Sequence, residues 1–550
     1  MKQRRELLVI LLVLLAGTVS LGCVACGVTA WWANKSGLLS RGLATQQETP
    51  RPPMPPGDEL SLPGDEPATL DPALVQDVNS AVYIVEIFSG LVTLDRNLEV
   101  VADLAERWEA SQDGRTYTFE LRRDAKFQDG RPVTAADVQY SLERACSPAL
   151  ASRAAPSYLA DIEGAMAMMQ GEANEISGLR VVDEYTLALT IDAPKAYFLA
   201  KLTYPTAFVV DRDNVAEGAD WAEHPNGTGP FRLAQWDRQR VVLERNELYY
   251  GGVPALSRVT FVLSGGSPMT MYENGQLDVV QVGLADIERV QDPSNPLSRE
   301  LTVVPRLDVQ YLGMNVLVPP FDDVKVRQAF AQAIDRQRLA NVVLKKTVVA
   351  AEGVLPPGLP GHRADFRGLA FNPDLALESL HVSTYKDAAD LPEVVLHISG
   401  TGGTMPPTIE AIVAMLRTNL GVEVTVEQTP WQRFLEDLNE RGYGFYSTGW
   451  IADFPDPQNF LDILFHSQSS DNHSAYANPE VDRLLEQARI EQDQAERLGL
   501  YQQAETLIVQ DAVWVPLWHG RDYMLTKPYV KGAVYSASIR PWLRDVYLER

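Results

Sequence analysis

The chain reads as an α/β protein with more than one sheet, and four stretches predict it. Residues 393–399, 407–420 and 422–427 run strand, helix, strand. That is a βαβ crossover, which makes the two strands parallel. Tyr117, Phe119 and Leu121 alternate with polar neighbours, as do Tyr185, Leu187, Leu189 and Ile191, the period of half-buried strands. Val326, Ala329, Phe330, Ala333 and Ile334 share one face of a helix that Asp323 caps.

The remaining elements follow in order. Ile84, Val85, Ile87, Phe88 and Leu91 have helical spacing. Asp113-Gly114 predicts a type I′ hairpin turn and Asp129-Gly130 a second turn. Thr134 and Asp137 form a capping box for a helix through about Arg144. Gly227-Thr228-Gly229-Pro230 lacks the Lys-Ser/Thr of a phosphate-binding loop and leads into a strand, so it reads as a crossover. The glycine-rich link of residues 399–404 reads as a flexible βα loop, with an anion cradle at the next helix as the alternative. Asn478-Pro479 caps a further helix.

At 550 residues the chain holds several domains. Apolar residues make up 45% and charged residues 22%, which excludes wholesale disorder. The net charge of −25 argues against nucleic acid, whose phosphates need Lys and Arg. Of the three cysteines, Cys23 and Cys26 lie in the N-terminal apolar run. The body therefore has Cys146 alone, too few for a disulfide framework or a cysteine metal cluster. Cys146 is expected as a small buried apolar residue.

Lys2, Arg4 and Arg5 precede an uncharged run over residues 7–32. At about 1.5 Å per residue this run can cross a hydrocarbon core of about 30 Å. The basic flank stays in the cytoplasm, which places the body outside. Residues 1–41 read either as an uncleaved anchor or as a lipoprotein-type signal, because Leu21-Gly22-Cys23 resembles the end of a lipobox. Residues 42–57 form a Pro-rich linker that holds the body off the membrane.

Catalytic patterns are thin: the sequence has no G-x-S-x-G, no H-E-x-x-H and no partnered nucleophilic Cys. His466, His473 and His519 match no compact metal-ligand spacing, so neither metal nor cofactor is expected. Asp453 and Asp456 could be imagined as a glycosidase pair, but the two prolines in the segment favour binding.

An ordered set of short segments carries the functional reading. It begins with Leu70-Asp71-Pro72, Ile87-Phe88-Ser89-Gly90-Leu91, Ala102-Asp103-Leu104-Ala105 with Trp108, and Asp113-Gly114 through Phe119. Then come Phe127-Gln128-Asp129-Gly130, Thr134-Ala135-Ala136-Asp137-Val138, Gly227 to Phe231, and Tyr249-Tyr250-Gly251-Gly252. Pro320-Phe321-Asp322-Asp323-Val324, Gly449-Trp450-Ile451-Ala452-Asp453 and Pro516-Leu517-Trp518 close it. In this order, over about residues 60–545, they resemble the family 5 extracytoplasmic solute-binding proteins, the peptide receptors of ABC importers.

The resemblance implies a two-lobe, periplasmic-binding-protein-like fold with a hinged cleft. Residues 58–305 and 506–550 would form lobe one, with 91–216 as its extra subdomain. Residues 306–505 would form lobe two, and the chain would cross near Arg306 and Asp511. It also implies a monomeric, non-enzymatic receptor outside the cytoplasmic membrane that hands peptides to a permease. Receptors for oligosaccharides, nickel complexes or opine-like solutes are alternatives, and a membrane-anchored hydrolase is a third reading. Asp453 would pair with a ligand α-ammonium, and Gly449 to Ala452 would offer backbone. Trp450 would form a pocket wall, with Trp431 as a further pocket residue. Some relatives have an Arg three residues before the Trp, to hold the ligand carboxylate; here that position is Ser447.

Overall fold

The computed structural model describes residues 58–533, 535 and 542–550. The expected anchor or signal and the linker, residues 1–57, lie outside the described residues. Among the described residues no helix is long and apolar enough to cross a membrane.

The first lobe holds two four-stranded sheets. In one, Glu59–Pro63 runs parallel to Arg258–Val262, which pairs antiparallel with Arg240–Arg245 and, beyond it, Phe231–Trp236. In the other, Ala105–Ala110, Thr116–Leu121, Thr186–Thr190 and Leu179–Asp183 are all antiparallel. Alternation along Thr116–Leu121 buries Tyr117, Phe119 and Leu121, as the sequence predicts. The hairpin at its start departs from the type I′ expectation. Gly114 N donates to Ser111 O at 2.9 Å, and only Gly114 in the turn has a positive φ, of 69°. A type I turn followed by a left-handed glycine fits these angles, because a type I′ turn needs positive φ at both central residues. The capping box is present, with Thr134 N donating to Asp137 Oδ2 at 2.8 Å ahead of helix Ala135–Ala145. Cys146 is buried.

The second lobe is built on a six-stranded mixed sheet. Its order is Val349–Ala350, Trp514–His519, Asp308–Met314, Phe445–Ile451, Val394–Ser399, Val424–Thr429. The last two strands are parallel and joined through helix Pro407–Leu420, the crossover read from the sequence. Asp323 and Asn478 cap their helices, accepting from Lys325 N at 2.7 Å and Glu480 N at 3.0 Å.

A small third sheet, Val279–Gln281, Arg521–Thr526 and Leu301–Pro305, marks the crossing between lobes. Leu301–Pro305 runs on into Asp308–Met314, and beside it Trp514–His519 runs on into Arg521–Thr526. Arg306 N donates to Gly520 O at 3.1 Å, so the two crossings are bonded to each other. The second crossing is thus at Gly520 rather than near Asp511. The expected boundary at residue 506 falls inside helix Gln494–Gln510. Ile508, Val509 and Val513 are buried with the second lobe's residues, and Trp514–His519 is one of its strands.

Candidate functional site

The site grows from strand Phe445–Ile451. Asp308–Met314 pairs with it along its full length, whereas Val394–Ser399 pairs only as far as Ser447. Thr448 to Ile451 therefore run past their second neighbour. Ala452 N donates to Leu307 O at 2.7 Å, which fixes the phase of the antiparallel pairing. Trp450 and Thr448 spend their backbone groups on Asp308–Met314, and those of Gly449 and Ile451 face the open edge. An extended ligand can add there as a strand.

A cleft of about 530 Å³ lies along that edge. Its walls include Gly449, Trp450, Trp431, Trp518, Ser447 and Ser399. Gly449 packs so closely on Gln310 that a Cβ would sit 1.9 Å from Nε2. Trp431 opens helix Trp431–Asn439 and lies near-parallel to Phe434 at 6.1 Å. Ala452 lies deeper than expected: it is fully buried and its amide is committed to Leu307, so it closes the strand end rather than offering backbone.

Asp453 follows at the end of the strand, partly exposed and outside the walls of that cleft. Its Oδ2 accepts from Asn459 Nδ2 at 2.9 Å and from the Tyr158 hydroxyl. Fully buried Asn459 organises the turn: its Oδ1 accepts from Asp453 N and Trp450 Nε1, both at 3.1 Å. Tyr158 belongs to helix Ala155–Leu159 of the first lobe and stacks on Tyr204 at 3.8 Å. The preceding Ser157 donates to Asp471 Oδ2. Burial pushes both the Asp453 and the Asp471 carboxyls up to about 6, and Asp471 adds its repulsion to Asp453. Among the described residues neither has a cation within ion-pair distance. Asp456 and Asp462 differ: Arg497 and Arg489 hold them at 2.5 and 2.7 Å. Asp456 is thus a structural ion-pair partner, which weakens any reading of Asp453 and Asp456 as paired catalytic carboxylates.

The lobes meet over this region. Besides the two hydroxyl contacts, Asn439 Nδ2 donates to Gln76 Oε1 at 2.9 Å, and Gln492 Nε2 to Pro194 O at 3.0 Å. Phe454, next to Asp453, is fully buried among side chains of the first lobe's core. The three histidines singled out in the sequence are engaged separately: His519 with Asp308 O at 2.8 Å, His473 with Asn439 Oδ1 at 3.1 Å, and His466 with Glu486 Oε1 at 3.3 Å. Tyr158, Ser157, Asn459 and Asp471 escape sequence reasoning. Tyr158, Ser157 and Asp471 meet only across the lobes, Asn459 acts within its own turn, and no local pattern marks any of them.

Residues 99–472 match the family model described as bacterial extracellular solute-binding proteins, family 5 Middle. The chain belongs to this family. Among family 5 relatives, the dipeptide-binding protein DppE of Bacillus subtilis is 29% identical over 86% of this chain and 88% of its own length. The probable deoxycholate-binding periplasmic protein YgiS of Escherichia coli is 31% identical over 85% and 89%. The murein tripeptide binding protein MppA of Escherichia coli superposes with a TM-score of 0.84 at 26% identity, over 90% of this chain and 99% of that one. Its unliganded open form reaches a TM-score of 0.66, at 27% identity over 90% and 98%. The two-lobe fold predicted from the motifs is therefore the fold of the family. The chain is an extracytoplasmic solute-binding protein.

Proposed function

We propose that the protein captures peptides with a free amino terminus between its lobes and presents them to an ABC permease. The observation that carries this reading is Asp453, a partly exposed carboxylate with no cationic partner among the described residues, at the end of a strand whose edge is open. An α-ammonium supplies the missing charge through charge-assisted hydrogen bonds. The strand edge reads main chain, and the tryptophan walls accept varied side chains. The dipeptide and murein tripeptide receptors among the relatives support this ligand class. A bile acid, the ligand in the name of the YgiS relative, brings an anionic carboxylate, which Asp453 and Asp471 repel.

We set the boundaries of this machine by its strands. Lobe one takes residues 58–305 and 520–550, with 91–216 as its extra subdomain, and lobe two takes 306–519. Residues 1–41 tether the body to the membrane, and residues 42–57 space it from the surface. The hydrogen bonds across the seam and the poorer match to an open relative support a closed arrangement of the lobes.

Mass spectrometry of ligands co-purified with residues 42–550 tests the function. Peptides with free amino termini are expected. Recovery of carbohydrates or steroids instead, together with no rise in melting temperature on adding peptides, would overturn it.

A further inference from the structure

Asp471 lies in the loop before helix Pro479–Ile490, away from every segment that marks the family in the sequence. Its position nonetheless mirrors that of Asp453. Consecutive residues of one short helix, Ser157 and Tyr158, donate one hydroxyl to each carboxylate. The two carboxylates therefore face the same turn of the first lobe, and they lie close enough that the charge of Asp471 raises the Asp453 carboxyl. Both keep partial exposure. The groups facing them are hydroxyls and acids: Tyr204, which stacks on Tyr158, and Asp77 and Tyr311 around them. Ser470 Oγ reaches Asp471 at 3.5 Å, and Arg441, close by in space, donates to Ser469 O at 3.4 Å rather than to the carboxylate.

One α-ammonium neutralises one carboxylate. The second then stays enclosed without a counter-charge, which is costly in a partly desolvated space. We propose that Asp471 is a specificity-determining residue that pairs with a second positive group at the amino end of the ligand. The cleft thereby prefers peptides whose first residue is lysine, arginine or ornithine. This rests on the reading of Asp453 as the partner of the α-ammonium. Burial brings the two carboxyls only to about 6, so both are largely ionised and able to pair at pH 7.5.

Calorimetric titration of the full chain at pH 7.5 with Lys-Ala-Ala, Ala-Ala-Lys and Ala-Ala-Ala tests it. Lys-Ala-Ala and Ala-Ala-Lys carry equal charge and differ only in its place. Lys-Ala-Ala should bind at least about tenfold tighter than Ala-Ala-Lys. Asp471→Asn, which keeps an acceptor for Ser157, should bring the two within about threefold of each other. Equal wild-type affinities for the two lysine peptides overturn the proposal without any variant. An Asp471→Asn variant that weakens all three peptides alike also overturns it. If no peptide binds the wild type at all, the peptide reading itself falls and this proposal falls with it. If peptides bind regardless of where the lysine stands, only the role of Asp471 is lost.

Discussion

Replacing Asp453 by Asn keeps the shape of the side chain and an oxygen to accept from Tyr158 and Asn459, but removes the charge. Two effects of opposite sign follow. Without ligand, the wild type bears the cost of an enclosed carboxylate whose proton affinity has risen from 3.8 to about 6. At about 1.36 kcal/mol per tenfold that is about 3 kcal/mol, or about 1–3 kcal/mol once partial exposure is allowed for. The sign is that of a raised carboxyl. Below about 4 it is protonated whether folded or not, and the variant gains nothing. As pH climbs through about 6, the wild type loses this stability and the variant does not. Chemical denaturation should therefore show empty Asp453→Asn equal to the wild type at pH 4 and about 1–3 kcal/mol more stable at pH 7.5. With a free-amine peptide the order reverses. Leaving the ligand ammonium without its partner costs about 2–5 kcal/mol, a loss of roughly 30- to several-thousand-fold in affinity. N-acetylated peptides should bind the wild type weakly and lose little more on substitution, which closes a double-mutant cycle by calorimetry. Additive losses in that cycle, or an empty variant less stable than the wild type at pH 7.5, would refute the reasoning.

Other perturbations test the surroundings. Gly449→Ala should push Gln310 aside and lower peptide affinity by about tenfold without unfolding the chain, and adding Gln310→Ala should recover much of it; calorimetry reads both. Asn459→Ala removes the acceptor of Trp450 Nε1 and Asp453 N and should cost about 1–3 kcal/mol in urea unfolding. Deleting residues 1–41 should leave a soluble chain with one cooperative thermal transition, as followed by circular dichroism. Peptide binding should raise the melting temperature, and small-angle scattering should show any open population contract.

What could be read from the sequence was local. Capping boxes, proline at the first helical position and the strand–helix–strand run each declare themselves within a few residues, and the structure has them where the sequence places them. The Asp113 turn went astray because Asp-Gly also fits a type I turn ending on a left-handed glycine, and only the pairing of Ser111 with Thr116 decides between them. The boundary at residue 506 failed for a similar reason. Val513 and Val515 would suit either lobe, and pairing of Trp514–His519 with Asp308–Met314 settles their place. Trp431, Gly449, Trp450 and Asp453 were visible only through the order of the family's segments. Ser157, Tyr158 and Asp471 were not visible at all, because their role exists only where distant parts of the chain meet.

Phe454 gives the closed arrangement an energy source of its own. Fully burying a phenylalanine side chain contributes about 1.5–3 kcal/mol, and here the ring beside Asp453 is buried in the first lobe's core. Any opening has to withdraw that ring into water or drag its neighbours along. An incoming ligand then supplies only the remainder of the work of closure. To the extent that the ring alone shuts empty molecules, these compete with loaded ones for the same permease, so the fit of one aromatic ring bears on how much of the transporter's time is spent on receptors that carry nothing.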